Sequence, residues 1–274
     1  IYYAGAPALT SNGQVELELA QAEELSFDLI KTYVRLSDPI QRRVVEDAHA
    51  MGMPVTSHEL YPAVAIGADG VEHVKGTSRR GYSTKVSELN RSYQDVIGLL
   101  GASGMTITPT VGIYGAYAMV AFDDPTIFDD DRVRAFVPWA PEAARRPGDP
   151  DVQRTLVRDM ASLGRRVVEA GGTVVVGTDS PIIPQGLALV AEMQALVEYG
   201  GMSTIDVMRG TTSLSATAMG YGDELGSIRE GMLADMIVLG SNPLSDIRAI
   251  RDVRIVIQDG RVHVVDELMD SPRP

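Results

Sequence analysis

The sequence predicts an α/β fold, most simply a (β/α) barrel of the TIM type, and three observations carry that prediction. Short runs rich in Val and Ile recur without clean polar alternation, the pattern of parallel strands buried on both faces. Each run is followed by a stretch whose apolar residues fall at helical spacing. Finally, 274 residues at 45% hydrophobic and 22% charged suit one large globular domain or two smaller ones. That composition excludes a disordered, collagenous or coiled-coil chain.

The first run is Tyr2-Tyr3-Ala4. It has neither the basic nor the apolar region of a signal peptide and reads as the end of a buried strand. Further strands are expected within residues 27–33, 54–58, 70–74, 105–109 and 173–179. Helices are expected over 38–52, 89–104, 149–172 and 187–200. The helix of 149–172 is the best specified. Asp149 stands at the N-cap, Pro150 at the first helical position, Val152, Leu156, Met160, Leu163 and Val167 form one apolar stripe, and Gly171-Gly172 ends it. Residues 115–148 break the rhythm as a long insertion with five Asp between positions 123 and 131. Two readings stand for it: a solvated loop, or a lid over the face where long barrel loops carry function. Beyond Tyr221 the pattern turns to β, with Asp259-Gly260 between two β-rich runs as a hairpin turn. The expected division is a barrel portion over 1–222 and part of a small β-sandwich domain over 223–274.

Charge narrows the partners. With 24 Lys and Arg against 37 Asp and Glu the net charge is −13, which repels nucleic acid and anionic membranes. No basic cluster offsets it, Arg79-Arg80 and Arg145-Arg146 being isolated pairs. No apolar run has the ~18 residues of a membrane span. The absence of Cys removes disulfide and thiolate chemistry and leaves the compartment open.

Lys31, His58, His73 and Asp179 stand at the ends of four separate apolar runs, and in a barrel such ends converge on the catalytic face. A lone strand-end His is as well explained by a satisfied structural imidazole; four polar ends together suggest metal ligation. A lysine in that company is a misfit until its chemistry is considered. A desolvated amine loses its proton readily and can add carbon dioxide, giving a carbamate that bridges two divalent ions. Asp179 would then be both ligand and proton carrier.

Read in order, Ile30-Lys31, Ser57-His58, Glu72-His73 and Gly177-Thr178-Asp179-Ser180-Pro181 resemble the amidohydrolase superfamily, in its imidazolonepropionase-like, Xaa-Pro dipeptidase-like branch. The tail is the most specific part: Leu225-Gly226-Ser227-Ile228-Arg229-Glu230-Gly231, then Leu233-Ala234-Asp235-Met236-Ile237-Val238-Leu239, Asn242-Pro243-Leu244 and Asp259-Gly260-Arg261-Val262. The resemblance implies a metal-dependent TIM-barrel hydrolase that opens a C–N bond in a small amide, dipeptide or cyclic amide. It further implies two divalent ions, zinc by choice, with Lys31 carbamylated as their bridge, His58 and His73 holding one ion, and Asp179 holding the other and moving the proton. Glu72 is either a hydrogen-bond acceptor behind a ligand or an outward-facing carboxylate. Arg79, Arg80 and Tyr82 would hold a substrate carboxylate or lie in a solvated loop; Tyr33 and Tyr114 would line the pocket. One feature departs from the family. The four His are at 49, 58, 73 and 263, so the His-x-His pair of the first barrel strand is missing. The expectation is a chain that starts at the third strand of the barrel, its partner being the absent N-terminal segment of the same enzyme. A catalytically silent scaffold is the competing reading. An aldolase-type barrel with Lys31 as a Schiff-base amine explains neither the two His nor the tail. Oligomeric state is open.

Overall fold

The structure, a computed structural model, describes residues 2–4, 9–33, 36–77, 94–144 and 148–270. Six parallel strands pair in the order of the chain: β1 (Tyr2–Ala4), β2 (Ile30–Thr32), β3 (Val55–Ser57), β4 (Gly70–Glu72), β5 (Thr106–Thr108) and β6 (Thr173–Val174). Sequential parallel pairing with a crossover between neighbours is the construction rule of a (β/α) barrel. The expected runs at 27–33, 54–58, 70–74 and 105–109 each hold one of these strands. The run at 173–179 departs sooner. Val175 still donates to Ile107 O, but the Val176 amide turns to Gly210 O at 3.0 Å, so residues beyond leave the sheet and carry Asp179 as a loop.

Alternation along the short strands decides what faces where. Ile30, Val55, Val71, Ile107 and Val174 are buried against the helices, together with Val44, Val45, Val96, Leu100, Leu163 and Val167. Lys31, Thr56, Glu72 and Thr108 turn to the opposite, inner side, where they line one cavity. Gly70 is required there: a Cβ on it would stand 2.7 Å from Thr106 Oγ1 and 3.1 Å from Thr56 Oγ1. On the outer face, the buried Gln41 Nε2 of the helix Asp38–Ala50 donates to Ser57 Oγ at 2.9 Å and Thr32 Oγ1 at 3.2 Å. That amide bridges the strand of Lys31 to the strand of His58 and holds their register.

The helices Asp38–Ala50, Gln94–Ser103, Pro150–Glu169 and Leu187–Glu198 fall inside the expected ranges. Asp149 caps as expected, its side chain accepting from the amides of Asp151 and Val152. The described residues of the insertion, 115–144 and 148, do not form a solvated loop. They include the helices Ala116–Asp123, Asp131–Phe136 and Ala140–Ala143, and Tyr117, Met119, Val120 and Ile127 are buried in the core. Two of their acidic residues find partners elsewhere in the chain, Asp123 accepting from Arg154 and from the Tyr199 hydroxyl and Asp124 from Arg251, while Asp130 and Asp131 pair with Arg132 and Arg134 close by.

A second sheet is antiparallel and has the order β7 (Met236–Leu239), β8 (Val253–Gln258) and β9 (Arg261–Val264). Asp259 and Gly260 both have positive φ, 49° and 73°, as the two central residues of a tight hairpin turn require. Among the described residues no helix is long and apolar enough to cross a membrane.

Asp149 supplies a test of the cap. Asp149→Ala should lower stability by about 1 kcal/mol, read as a shifted denaturant midpoint with unchanged slope.

Candidate active site

Three of the four sequence-selected residues meet directly. Lys31 Nζ lies 3.6 Å from Asp179 Oδ1, and His73 Nε2 lies 3.9 Å from Asp179 Oδ2. The fourth, His58, stands beside them with its ring centroid 4.9 Å from that of His73. Lys31 and His73 are each only 5% exposed, so three charge-bearing groups share a poorly solvated space at the C-terminal ends of β2, β3 and β4.

Backbone geometry explains how side chains from different strands converge. His73, Thr110 and Asp179 have φ of 70°, 49° and 54°, and they are three of the five described non-glycine residues with positive φ. The left-handed region is unfavourable for residues with a Cβ, and most so for a β-branched Thr. Such strain persists only where surrounding bonds impose it. The amide of His73 donates to Thr108 O at 2.7 Å and that of Val74 to Pro109 O at 2.8 Å, drawing the chain after β4 toward the end of β5. His73 Nδ1 then sits 2.7 Å from Thr110 Oγ1.

Electrostatics set the protonation states. Burial, then the nearby Lys31 cation, lowers the pKa of His58 to about 4. The same two causes, with His58 as a third, bring His73 to about 4. Both imidazoles are neutral at pH 7, the form in which imidazole ligates a metal. His58 Nδ1 lies 3.3 Å from the Thr32 carbonyl, to which it can only donate, and this places the ring's lone pair on Nε2. Tyr33 packs edge-on against His58 at 4.7 Å between centroids. Tyr114, raised to about 12 by burial and by Asp179, keeps its phenolic proton, and Lys75 Nζ lies 4.8 Å from the centre of its ring. Glu72 faces inward and accepts from Thr56 Oγ1 at 2.7 Å; burial raises its pKa. Of its two readings, the outward-facing one does not hold. The cavity, about 460 Å³, is lined by Lys31, Glu72, Thr108, Thr110 and Asp179 among others. Arg79, Arg80 and Tyr82 lie outside the described residues.

The amidohydrolase family profile matches residues 24–263. The chain belongs to the amidohydrolase family. Over 90 residues it is 34% identical to ochratoxinase of Aspergillus niger, covering 32% of this chain and 18% of that protein. Over 126 residues it is 29% identical to a 5-methylthioadenosine/S-adenosylhomocysteine deaminase of Desulforamulus reducens, covering 39% of this chain and 29% of that one. The chain thus spans less than a third of the length of either relative. Among solved structures it is similar to a Xaa-Pro dipeptidase with methionine bound in the active site, with TM-score 0.66 and 21% identity over 94% of this chain and 59% of the other. Phenylurea hydrolase B gives TM-score 0.65 and 21% identity over 96% and 59%. These last two likenesses establish the fold.

In this amidohydrolase two further residues, Thr110 and Glu192, stand behind the site. Thr110 gave no signal, since a Thr beside a strand end is commonplace. Glu192 did give one: a carboxylate inside the apolar run 187–196, where a core helix has no evident use for charge. Its Oε1 accepts from the Val111 amide at 2.9 Å and its Oε2 from the Gly112 amide at 2.7 Å. Burial raises its pKa to about 7 against the pull of these amides. Among the described residues, no three His, Cys, Asp or Glu side chains come together closely enough to hold a metal ion.

The neutral imidazoles are open to measurement. Unfolded histidine takes up its proton near pH 6.5, while His58 and His73 do so near 4. In that window the unfolded chain binds more protons, so the metal-free protein should lose stability as pH falls from about 6.5 toward 4. Nuclear magnetic resonance of the ring nitrogens should show both rings uncharged at pH 6. Midpoints near 6.5 would mean that the rings are solvated.

Proposed function

We propose that this amidohydrolase is a metal-dependent hydrolase of C–N bonds in small amides or dipeptides. The observation that carries the reading is the meeting of Lys31, His58, His73 and Asp179, from four separate parts of the chain, beside a cavity that Lys31 and Asp179 line. The donor chemistry fits divalent ions: two neutral imidazoles, a carboxylate, and a buried lysine suited to carbamylation. His58 and His73 would hold one ion, Asp179 the other, and carbamylated Lys31 would bridge them, with zinc as the ion the set suits. When bound, the ions would supply Lewis acidity toward the amide carbonyl and toward a water molecule.

The residues of the chain carry the remaining work. The Asp179 carboxylate takes a proton from the attacking water as the new C–O bond forms, and returns it to the departing nitrogen as the C–N bond breaks. Thr110 and the Thr32 carbonyl orient the two rings. Tyr114, protonated throughout the working range and close enough to Asp179 to feel its charge, would supply a donor beside the site, with Lys75 against its ring. The cavity volume lies within the range of small-molecule sites. An N-acyl amino acid or a Xaa-Pro dipeptide is a fitting probe, in view of the dipeptidase and ochratoxinase likenesses.

The competing reading, a silent scaffold, is favoured by one observation: Lys31 already balances Asp179 as an ion pair, with no further acid among the described residues completing a metal cluster. Two variants separate the readings. Lys31→Ala should abolish most hydrolysis of such probes and most bound zinc, and short-chain carboxylic acids should restore part of the activity. Asp179→Asn should lower kcat by roughly 10²–10⁴-fold. Undiminished hydrolysis by Lys31→Ala would exclude the bridge. A wild-type protein that takes up no zinc and hydrolyses no probe would favour the scaffold.

A further inference from the structure

We propose that Glu192 is a positioning residue that fixes the ring of His73 through Thr110. The inference rests on the reading of His73 as a residue of the working site. It starts from an unusual expenditure of charge. Glu192 lies in the helix Leu187–Glu198, is completely buried, and among the described residues faces no cation. Burying an ionised carboxylate without a counter-charge costs several kcal/mol unless hydrogen bonds replace its water. The replacement comes from one place, the consecutive amides of Thr110, Val111 and Gly112.

Those amides belong to the turn that follows β5, and the first residue of that turn is strained. Thr110 is β-branched, fully buried and held at φ 49°. Left to itself it would relax toward an extended or right-handed conformation and swing its hydroxyl away. A carboxylate that gathers three successive N–H groups selects the left-handed geometry, because only a curled backbone points them all at one acceptor. The consequence appears at Oγ1, which stands 2.7 Å from His73 Nδ1. Where Nδ1–H donates to the Thr110 hydroxyl, the lone pair of His73 lies on Nε2, the atom that faces Asp179; where the hydroxyl donates, Nε2 carries the proton, so the place of Oγ1 bears on the tautomer in either case. The chain of contacts therefore runs from Glu192 through the backbone of 110–112 and the Thr110 hydroxyl to Nδ1 of the His73 ring. Gly112 fits the same scheme. A Cβ there would stand 3.3 Å from Glu192 Oε2 and 2.8 Å from Ile183, so the absence of a side chain admits the carboxylate.

A staple that only held the turn together would act on stability and leave the ring alone, and this distinguishes the roles. Glu192→Gln preserves shape but turns an NH₂ group against a backbone N–H, losing at least one of the acceptors. Thr110→Val removes the hydroxyl at nearly constant volume. The measurement is ring ¹⁵N resonance of His73 and His58 in the metal-free protein, in wild type, each single variant and the double variant. The expected result is that Glu192→Gln moves the His73 Nδ1 and Nε2 resonances in the same direction as Thr110→Val, that the double variant moves them no further than Thr110→Val alone, and that His58 stays in place. An unmoved His73 in Glu192→Gln, or shifts that add in the double variant, would overturn the proposal. If Glu192→Gln does not fold, Glu192→Asp, which keeps the charge but withdraws it by one methylene, is read in the same way. Where hydrolysis is measurable, Glu192→Gln should lower kcat about 10- to 100-fold with KM little changed. A protein without hydrolase activity removes that last readout and leaves the resonance test intact, so failure of the functional reading and failure of this one are told apart.

Discussion

The structure depends on parallel pairing in which neighbouring strands end on the same edge. Because β2, β3, β4 and β5 run in one direction, Lys31 within β2 and residues just past β3, β4 and β5 reach the same space without any long loop to bring them there. Lys31 with Thr56, and Glu72 with Thr108, lie on matching rungs of neighbouring strands. The Gln41 bridge behind β2 and β3 matters for this reason. A slip of one residue between those strands would send Lys31 outward among the helices and bring Ile30 into the cavity.

Convergence creates an electrostatic problem that the site then uses. An amine, a carboxylate and two imidazoles brought together away from water cannot all be charged. The ion pair of Lys31 with Asp179 settles one charge of each sign, and the rings remain neutral. Glu72 is drawn into the same balance, with burial opposing its ionisation and Thr56 and Lys31 favouring it. The result is a set of groups whose proton affinities are spread apart by their surroundings, a common property of sites that move protons.

How much of this was legible in the sequence varied with the range of the interaction that decides each feature. The cap at Asp149, the turn at Asp259-Gly260 and the Val- and Ile-rich strands are set by neighbours in sequence, and they read directly. That Lys31, His58, His73 and Asp179 come together was legible because each stands toward the end of an apolar run, and in a parallel sheet such ends share one edge. The 115–148 segment read as solvent-facing because Asp123 and Asp124 find partners at Arg154, Tyr199 and Arg251, contacts that no local pattern encodes. Thr110 was hidden for a different reason: its importance lies in a backbone angle, and composition carries no trace of φ.

Those left-handed angles at His73, Thr110 and Asp179 bear on how the chain would respond to selection. A strained non-glycine residue stores of order 1–3 kcal/mol, which glycine would release at once. Glycine at any of these three positions would release that strain only by deleting a side chain from the cluster around Lys31. On the proposed function, backbone ease and chemistry would therefore compete at the same three positions.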